Sequence, residues 1–404
     1  MKLHFRRAVF HPGVKLAAVP SPGPDRRIRF AVVLLAFTAS LGRLPAQAPS
    51  SESAAGRRMP GYLAGYEALY ATSPHEAAQK WFRDARYGLM IHYCLASVLD
   101  RGRSGYTELA RRLQANTAKP DDAMNPDEAA RGPDRYLFAR FTAEAFDAGK
   151  IADLAVAAGM KYVNFTTTHL GGMAMWNTSL TDFNSTKSPA HRDLVAELAA
   201  ACAQRRLGLF LYVPPDTTRT DGDHFEHNRR MLTELLSNYG PIAGIWFDGI
   251  QGFRKFPQRY TRVQELFDLV RRLQPQCLVS WKSSADGTDF LAPEHTVGDL
   301  LFRHPGFPVE VCTTLQKCRR RDLITDETGW INNDSTPHLS TDAIIMMIRE
   351  LQLEQATNIA LNIGLRGNGS IHPDDEAALR AVGAYIRTNW SNLPESNPAL
   401  FGVH

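Results

Sequence analysis

The sequence predicts a parallel (β/α)8-like barrel. Three observations lead there: short apolar runs separated by one-faced helical patterns, persistence of that alternation over most of the chain, and the lack of a Gly-x-Gly-x-x-Gly turn that would point to a dinucleotide-binding sheet. The runs are Tyr87–Tyr93, Tyr162–Thr168, Leu207–Val213, Ile242–Phe247, Cys277–Lys282, Val309–Leu315 and Ile359–Ile363, seven in all. Each is short and apolar throughout, as a strand covered on both faces should be.

The intervening segments read as helices packed by one face. Leu194, Val195, Leu198, Ala201 and Cys202 share a helical stripe, and Val263, Leu266, Phe267, Val270 and Leu273 repeat it. Met231, Leu232, Leu235 and Leu236 form another, closed by Gly240. A last helix opens at Pro373, with Asp374, Asp375 and Glu376 at its positive end.

Residues 1–48 read differently. Arg26, Arg27 and Arg29 precede the apolar run from Phe30 to Phe37, and Ala46-Gln47-Ala48 supplies a small-x-small cleavage pattern. This is the pattern of a secretory signal peptide, and the run is much shorter than the roughly 20 apolar residues that cross a bilayer. The expected location is secreted or periplasmic, with no membrane span in the mature protein. Residues 49–59 then read as a linker, 60–395 as the barrel domain and 396–404 as a tail. The leader holds eight Lys or Arg and one Asp, so the overall charge of +4 falls to about −3 without it. A nucleic-acid partner, which needs a basic patch on the folded domain, is not expected.

The five cysteines (Cys94, Cys202, Cys277, Cys312 and Cys318) include no Cys-x-x-Cys pair, and no Cys/His spacing suits zinc. No metal or organic cofactor is expected. Cys312 and Cys318 are the nearest pair for a disulfide, although buried free thiols are the simpler reading.

A parallel barrel places its chemistry at the C-terminal ends of the strands. The polar residues there are His92, His169, Asp248 and Lys282, and the run near 309 carries Glu310. Histidine and carboxylate at one rim suit acid–base work on a polyhydroxylated ligand.

Several segments in register resemble the α-L-fucosidases, family 29 of the glycoside hydrolases. They are Trp81 to His92, Phe146 to Ala148, Ala158 to Val163, Trp176 with Thr181 to Ser185, Arg192 to Leu198, Ile245 to Gly249, Asn358 to Gly364 and Gly367 to Ile371. The resemblance implies a retaining exo-glycosidase that removes terminal α-L-fucose from glycans and needs no cofactor. It assigns Asp248 as nucleophile and gives two candidates for the acid/base: Glu294, in Asp289 to Val297, and Glu310, in Pro308 to Thr313. It also implies that His92, His169, Trp246, Trp176 and Lys282 bind the sugar. For Asp248 the plain alternative is a turn aspartate before Gly249, for the glutamates a solvated or ion-paired role, and for Trp176 core packing.

The chain departs from the family pattern at Leu170 and Gly171, where a second histidine and an aspartate are usual, and at His92-Tyr93-Cys94, where His-Trp-Gly is usual. The family's C-terminal β-sandwich is expected to be absent or vestigial. An exo-glycosidase for another sugar, or an inactive carbohydrate-binding homologue, are the competing functions.

Overall fold

A computed structural model describes residues 58–114, 132–215, 224–249, 262–281, 286–316, 329–354 and 357–389. The leader, Lys282, Cys318 and the tail lie outside the described residues. Eight parallel strands make one sheet: β1 (Tyr87–His92), β2 (Tyr162–Thr166), β3 (Gly208–Val213), β4 (Gly244–Phe247), β5 (Leu278–Trp281), β6 (Phe290–Leu291), β7 (Glu310–Thr314) and β8 (Asn358–Gly364). Their order is β6-β5-β4-β3-β2-β1-β8-β7. Parallel bridges from Leu291 to Val309 and from Glu294 to Cys312 join the two ends, so the sheet nearly closes into a barrel.

All seven apolar runs became strands, trimmed or extended at their ends. The eighth, β6, was not legible as a strand: two residues are too few to show a periodicity. It lies inside the segment singled out only as a carrier of Glu294.

Helices cover the outside of the sheet, including Ala148–Ala157, Leu194–Gln204, His224–Asn238, Val263–Leu273 and Pro373–Asn389. The alternation of side chains along each strand makes two cores. Leu89, Ile91, Val163, Phe165, Leu209 and Leu211 face the helices. Met90, Tyr162, Phe210, Tyr212, Trp246 and Phe290 fill the interior.

The inner core is mostly aromatic and depends on glycine where two strands must make room. A Cβ on Gly88 would lie 2.1 Å from the Tyr162 ring, and one on Gly244 would lie 2.2 Å from the Phe210 ring. Such approaches are far inside contact distance, so each glycine is matched to the large ring beside it.

The bottom of the barrel is sealed by the helix Pro74–Ala85. Ser73 caps it by accepting from the Glu76 amide, and Pro74 occupies its first turn. Its Trp81 and Phe82 pack on Tyr162, Phe210 and Phe290. With that end closed, the C-terminal rim is the open end of the barrel among the described residues. The four cysteines among the described residues, Cys94, Cys202, Cys277 and Cys312, are buried free thiols.

Candidate active site

A pocket of about 240 Å³ opens at the rim. His92, His169, Trp246, Asp248 and Glu294 line it, as the sequence anticipated, together with Arg103, Tyr212, Trp330, Met90, Cys312 and Ile331. This space suits one sugar ring rather than a long chain.

Asp248 follows β4 directly, and its amide extends the ladder by donating to the Val213 carbonyl at 3.2 Å. Its two carboxylate oxygens have separate donors. The Tyr212 hydroxyl donates to Oδ2 at 2.5 Å, and the Gly249 amide donates to Oδ1 at 2.7 Å. Two donors orient the group, one to each oxygen. Gly249 has φ 70°, a left-handed turn that suits the glycine after the acid. Burial, then the Asp248 carboxylate, hold the Tyr212 phenol well above its ordinary pKa, so it remains a donor.

Glu294 comes three residues after β6. It is fixed by the parallel bridge to Cys312, whose amide donates to the Pro293 carbonyl at 3.0 Å, while the His295 amide donates to the Cys312 carbonyl at 2.8 Å. His295 has φ 61° and stacks on Trp330 with ring centroids 5.1 Å apart. The carboxyl of Glu294 is thus carried to the pocket on backbone tied to β7.

His92 and His169 meet edge to face, 4.7 Å between centroids. Asn362 on β8 sets the state of His92. Its Nδ2 donates to the Trp330 carbonyl at 2.9 Å, so its Oδ1 faces His92 Nδ1 at 2.6 Å and must accept from it. The neutral ring therefore carries its proton on Nδ1 and has Nε2 as its acceptor nitrogen. Trp246 stacks on Tyr212 at 5.3 Å and 17°, giving the pocket an aromatic wall.

Two expected residues stand elsewhere. Glu310 does not line the pocket: it is the first residue of β7, 1% exposed, inside the closed lower part of the barrel. Its oxygens accept from Trp246 Nε1 at 3.2 Å and from the Tyr162 hydroxyl. Burial pushes its pKa up to about 7, against the pull of those two hydrogen bonds. Trp176 is buried, donates to Glu234 at 3.1 Å and lines a separate pocket behind His169. The packing alternative holds for it. Lys282 is outside the described residues.

Leu170, at the variant position beside His169, packs against the helix-side core and does not line the pocket. Sequence reasoning missed Tyr212, Trp330 and Arg103. Tyr212 had a signal, since it follows Phe210 on the inward face of β3 and puts a polar tip one residue before the strand's end. Trp330 and Arg103 lie outside the strands and carried none.

A parallel barrel closed below, with two carboxyls, two histidines and aromatic walls around a sugar-sized rim pocket, defines a glycoside hydrolase of the barrel type. The alpha-L-fucosidase family model matches residues 62–391, and the chain belongs to that family. It is 27% identical to the tissue alpha-L-fucosidase of Rattus norvegicus over 342 residues, 79% of this chain and 70% of the relative. The tissue alpha-L-fucosidase of Homo sapiens is 26% identical over 358 residues, 79% of this chain and 69% of the relative. Among solved structures, alpha-L-fucosidase isoenzyme 1 of Paenibacillus thiaminolyticus superposes with a TM-score of 0.61 at 23% identity, covering 79% of this chain and 77% of that one. Alpha-L-fucosidase AlfC of Lactobacillus casei, in complex with its alpha-L-fucose product, gives 0.59 at 24% identity, covering 77% and 98%. The two structures bear on the fold.

Proposed function

We propose that the protein hydrolyses terminal α-L-fucosides with retention of configuration. The observation that carries this is Asp248, oriented by hydrogen bonds from Tyr212 and Gly249 in a pocket it shares with Glu294. In the first step Asp248 attacks the anomeric carbon and the bond to the leaving oxygen breaks as Glu294 gives that oxygen its proton. In the second, Glu294 takes a proton from water, the hydroxide displaces Asp248, and fucose leaves. His92 and His169 bind ring hydroxyls, and Trp246 offers a face to the apolar side of the sugar. Glu294 is the acid/base in preference to Glu310 because a proton donor must reach the leaving oxygen, and Glu310 is sealed below Trp246.

A panel of 4-nitrophenyl glycosides tests the proposal. Cleavage of the α-L-fucoside with initial release of α-L-fucose supports it. Cleavage of a different glycoside alone, or binding of sugar without turnover, refutes it in favour of one of the competing functions.

The protein is also proposed to be exported, on the strength of the arginines, apolar run and Ala46-Gln47-Ala48 pattern of its leader. N-terminal sequencing of the exported protein should read from residues 47–50. An intact leader retained in a membrane would overturn this.

A further inference from the structure

Among the described residues three carboxyl side chains are buried: Asp289, Glu310 and Asp375. Asp289 faces His75 and Arg271, and Asp375 faces His338, so each has a basic partner. Glu310 has none: it bonds to Trp246 Nε1 and the Tyr162 hydroxyl, and no basic side chain among the described residues pairs with it. Such a carboxyl is a poor way to fill space, because an apolar side chain of similar size carries no desolvation penalty. What it supplies and a leucine does not is an acceptor for the indole.

That indole has no other acceptor among the described residues, and a buried indole N–H needs one. Around the nearly closed barrel, β7 stands three places from β4 by way of β6 and β5, and three places from β2 by way of β8 and β1. Glu310 therefore ties together strands that do not pair with its own. The ring it holds lines the pocket and stacks on Tyr212, 5.3 Å between centroids, and the Tyr212 hydroxyl donates to Asp248 Oδ2 at 2.5 Å.

The surroundings suit a neutral acid. Oε1 faces the indole, which only donates, and the Tyr162 oxygen lies 3.3 Å from the Ile359 carbonyl, which only accepts. With the carboxyl neutral, Oε2 gives its hydrogen to Tyr162, Tyr162 gives its own to Ile359, and every one of these atoms is satisfied. Ionised, the group is a buried charge without a cation. The titratable groups around this floor are Tyr162 on β2 and Cys312 two places along β7, with Tyr212 and Asp248 on the pocket side of Trp246. We propose that Glu310 is a positioning residue of the reaction, a neutral clamp that fixes the Trp246 ring and with it the wall that holds Tyr212 against Asp248. This rests on the fucoside reading above.

The test measures kcat/KM on 2,4-dinitrophenyl α-L-fucoside, whose leaving group needs no proton, so the state of Glu294 drops out of the first step. The proteins are the full-length wild type, Glu310→Gln, Glu310→Leu, Trp246→Phe and Trp246→Phe with Glu310→Leu, each checked for folding by circular dichroism. At pH 5, Glu310→Leu should lower kcat/KM about 10-fold, chiefly through kcat, and Glu310→Gln, which matches the neutral acid in shape and bonding, about 2-fold or less. In Trp246→Phe, which has no N–H to hold, adding Glu310→Leu should cost nothing further. Burial raises the Glu310 pKa to about 7, so the wild type should lose activity as pH rises through that value, and Glu310→Gln should not. A folded Glu310→Leu with wild-type kcat/KM overturns the inference, as does a Leu penalty that persists in Trp246→Phe. A Gln variant as damaged as the Leu variant also overturns it, since Glu310 would then be a reagent. Should the Leu variant not fold, the pH profile decides: a decline in Glu310→Gln equal to that of the wild type overturns the inference. Any of these results with turnover by the wild type sinks this inference alone, whereas no turnover of any fucoside by the wild type sinks the fucosidase reading and this inference with it.

Discussion

The mouth and the floor of the barrel are built from the same strands, yet they put the same side chain to opposite uses. Glu294 stands at the rim in a pocket that admits a sugar, and Glu310 stands at the start of the neighbouring β7, enclosed by Tyr162 and Trp246. Of the two, Glu294 is the one that lines the pocket. The second acts downward on the site: its carboxyl holds the Trp246 indole, which stacks on Tyr212, which orients Asp248. Position along the strand, rather than residue type, decides which carboxyl is a reagent and which is a support.

The largest test of this contrast lies at the mouth. Asp248→Gly should lower kcat by roughly 10⁴-fold or more even for substrates with excellent leaving groups, since no covalent intermediate can form. Added azide should then yield the fucosyl azide of inverted configuration, as NMR of the product would show. Full activity in this variant would end the proposed mechanism.

Replacing Glu294 by Ala should cost roughly 10²–10⁴-fold on glycans, which need protonation, and much less in the first step for activated aryl fucosides. Azide should restore turnover with retained configuration. Glu310→Ala should give no azide adduct at all. Were the retained azide product to come from Glu310→Ala instead, the roles assigned to mouth and floor would be exchanged.

At the floor the expected effect is on stability. The folded pKa of Glu310 is raised by burial, so the fold binds its proton more tightly than the unfolded chain does. The stabilisation is complete below the ordinary carboxylate range and is lost as pH rises to about 7. Glu310→Gln keeps an acceptor for Trp246 and stays neutral, so its stability should lack this decline. Denaturant melts at pH 5 and pH 8 should show the variant gaining on the wild type by something on the order of 3 kcal/mol across that window. Parallel curves for the two proteins would mean Glu310 is not titrating there.

A smaller effect is expected where the two regions meet. Tyr212→Phe keeps the stack on Trp246 and deletes the donor to Asp248, which should reduce kcat/KM by roughly 1–3 kcal/mol in transition-state energy. A loss of thermal stability with kcat/KM unchanged would instead make the hydroxyl a structural feature.

Much of the barrel was legible because buried parallel strands must be short apolar runs, and seven of the eight declared themselves that way. Asp248 was legible too, as an acid that closes an apolar strand is costly unless it faces the open mouth. Trp176 shows the limit: in sequence it is a tryptophan near a rim, and only its burial and its bond to Glu234 remove it from the sugar pocket.

The chain by itself determined the class of fold, the strand that ends at Asp248 and the two glutamates to weigh beside it, because these depend on local pattern and on motifs in fixed order. The tertiary structure placed Glu294 in the pocket and Glu310 beneath it, brought Tyr212 to Asp248 and set Arg103 beside the pocket. Those outcomes depend on strand stagger and barrel closure, which bring together residues far apart in sequence and leave no periodic trace in any single segment.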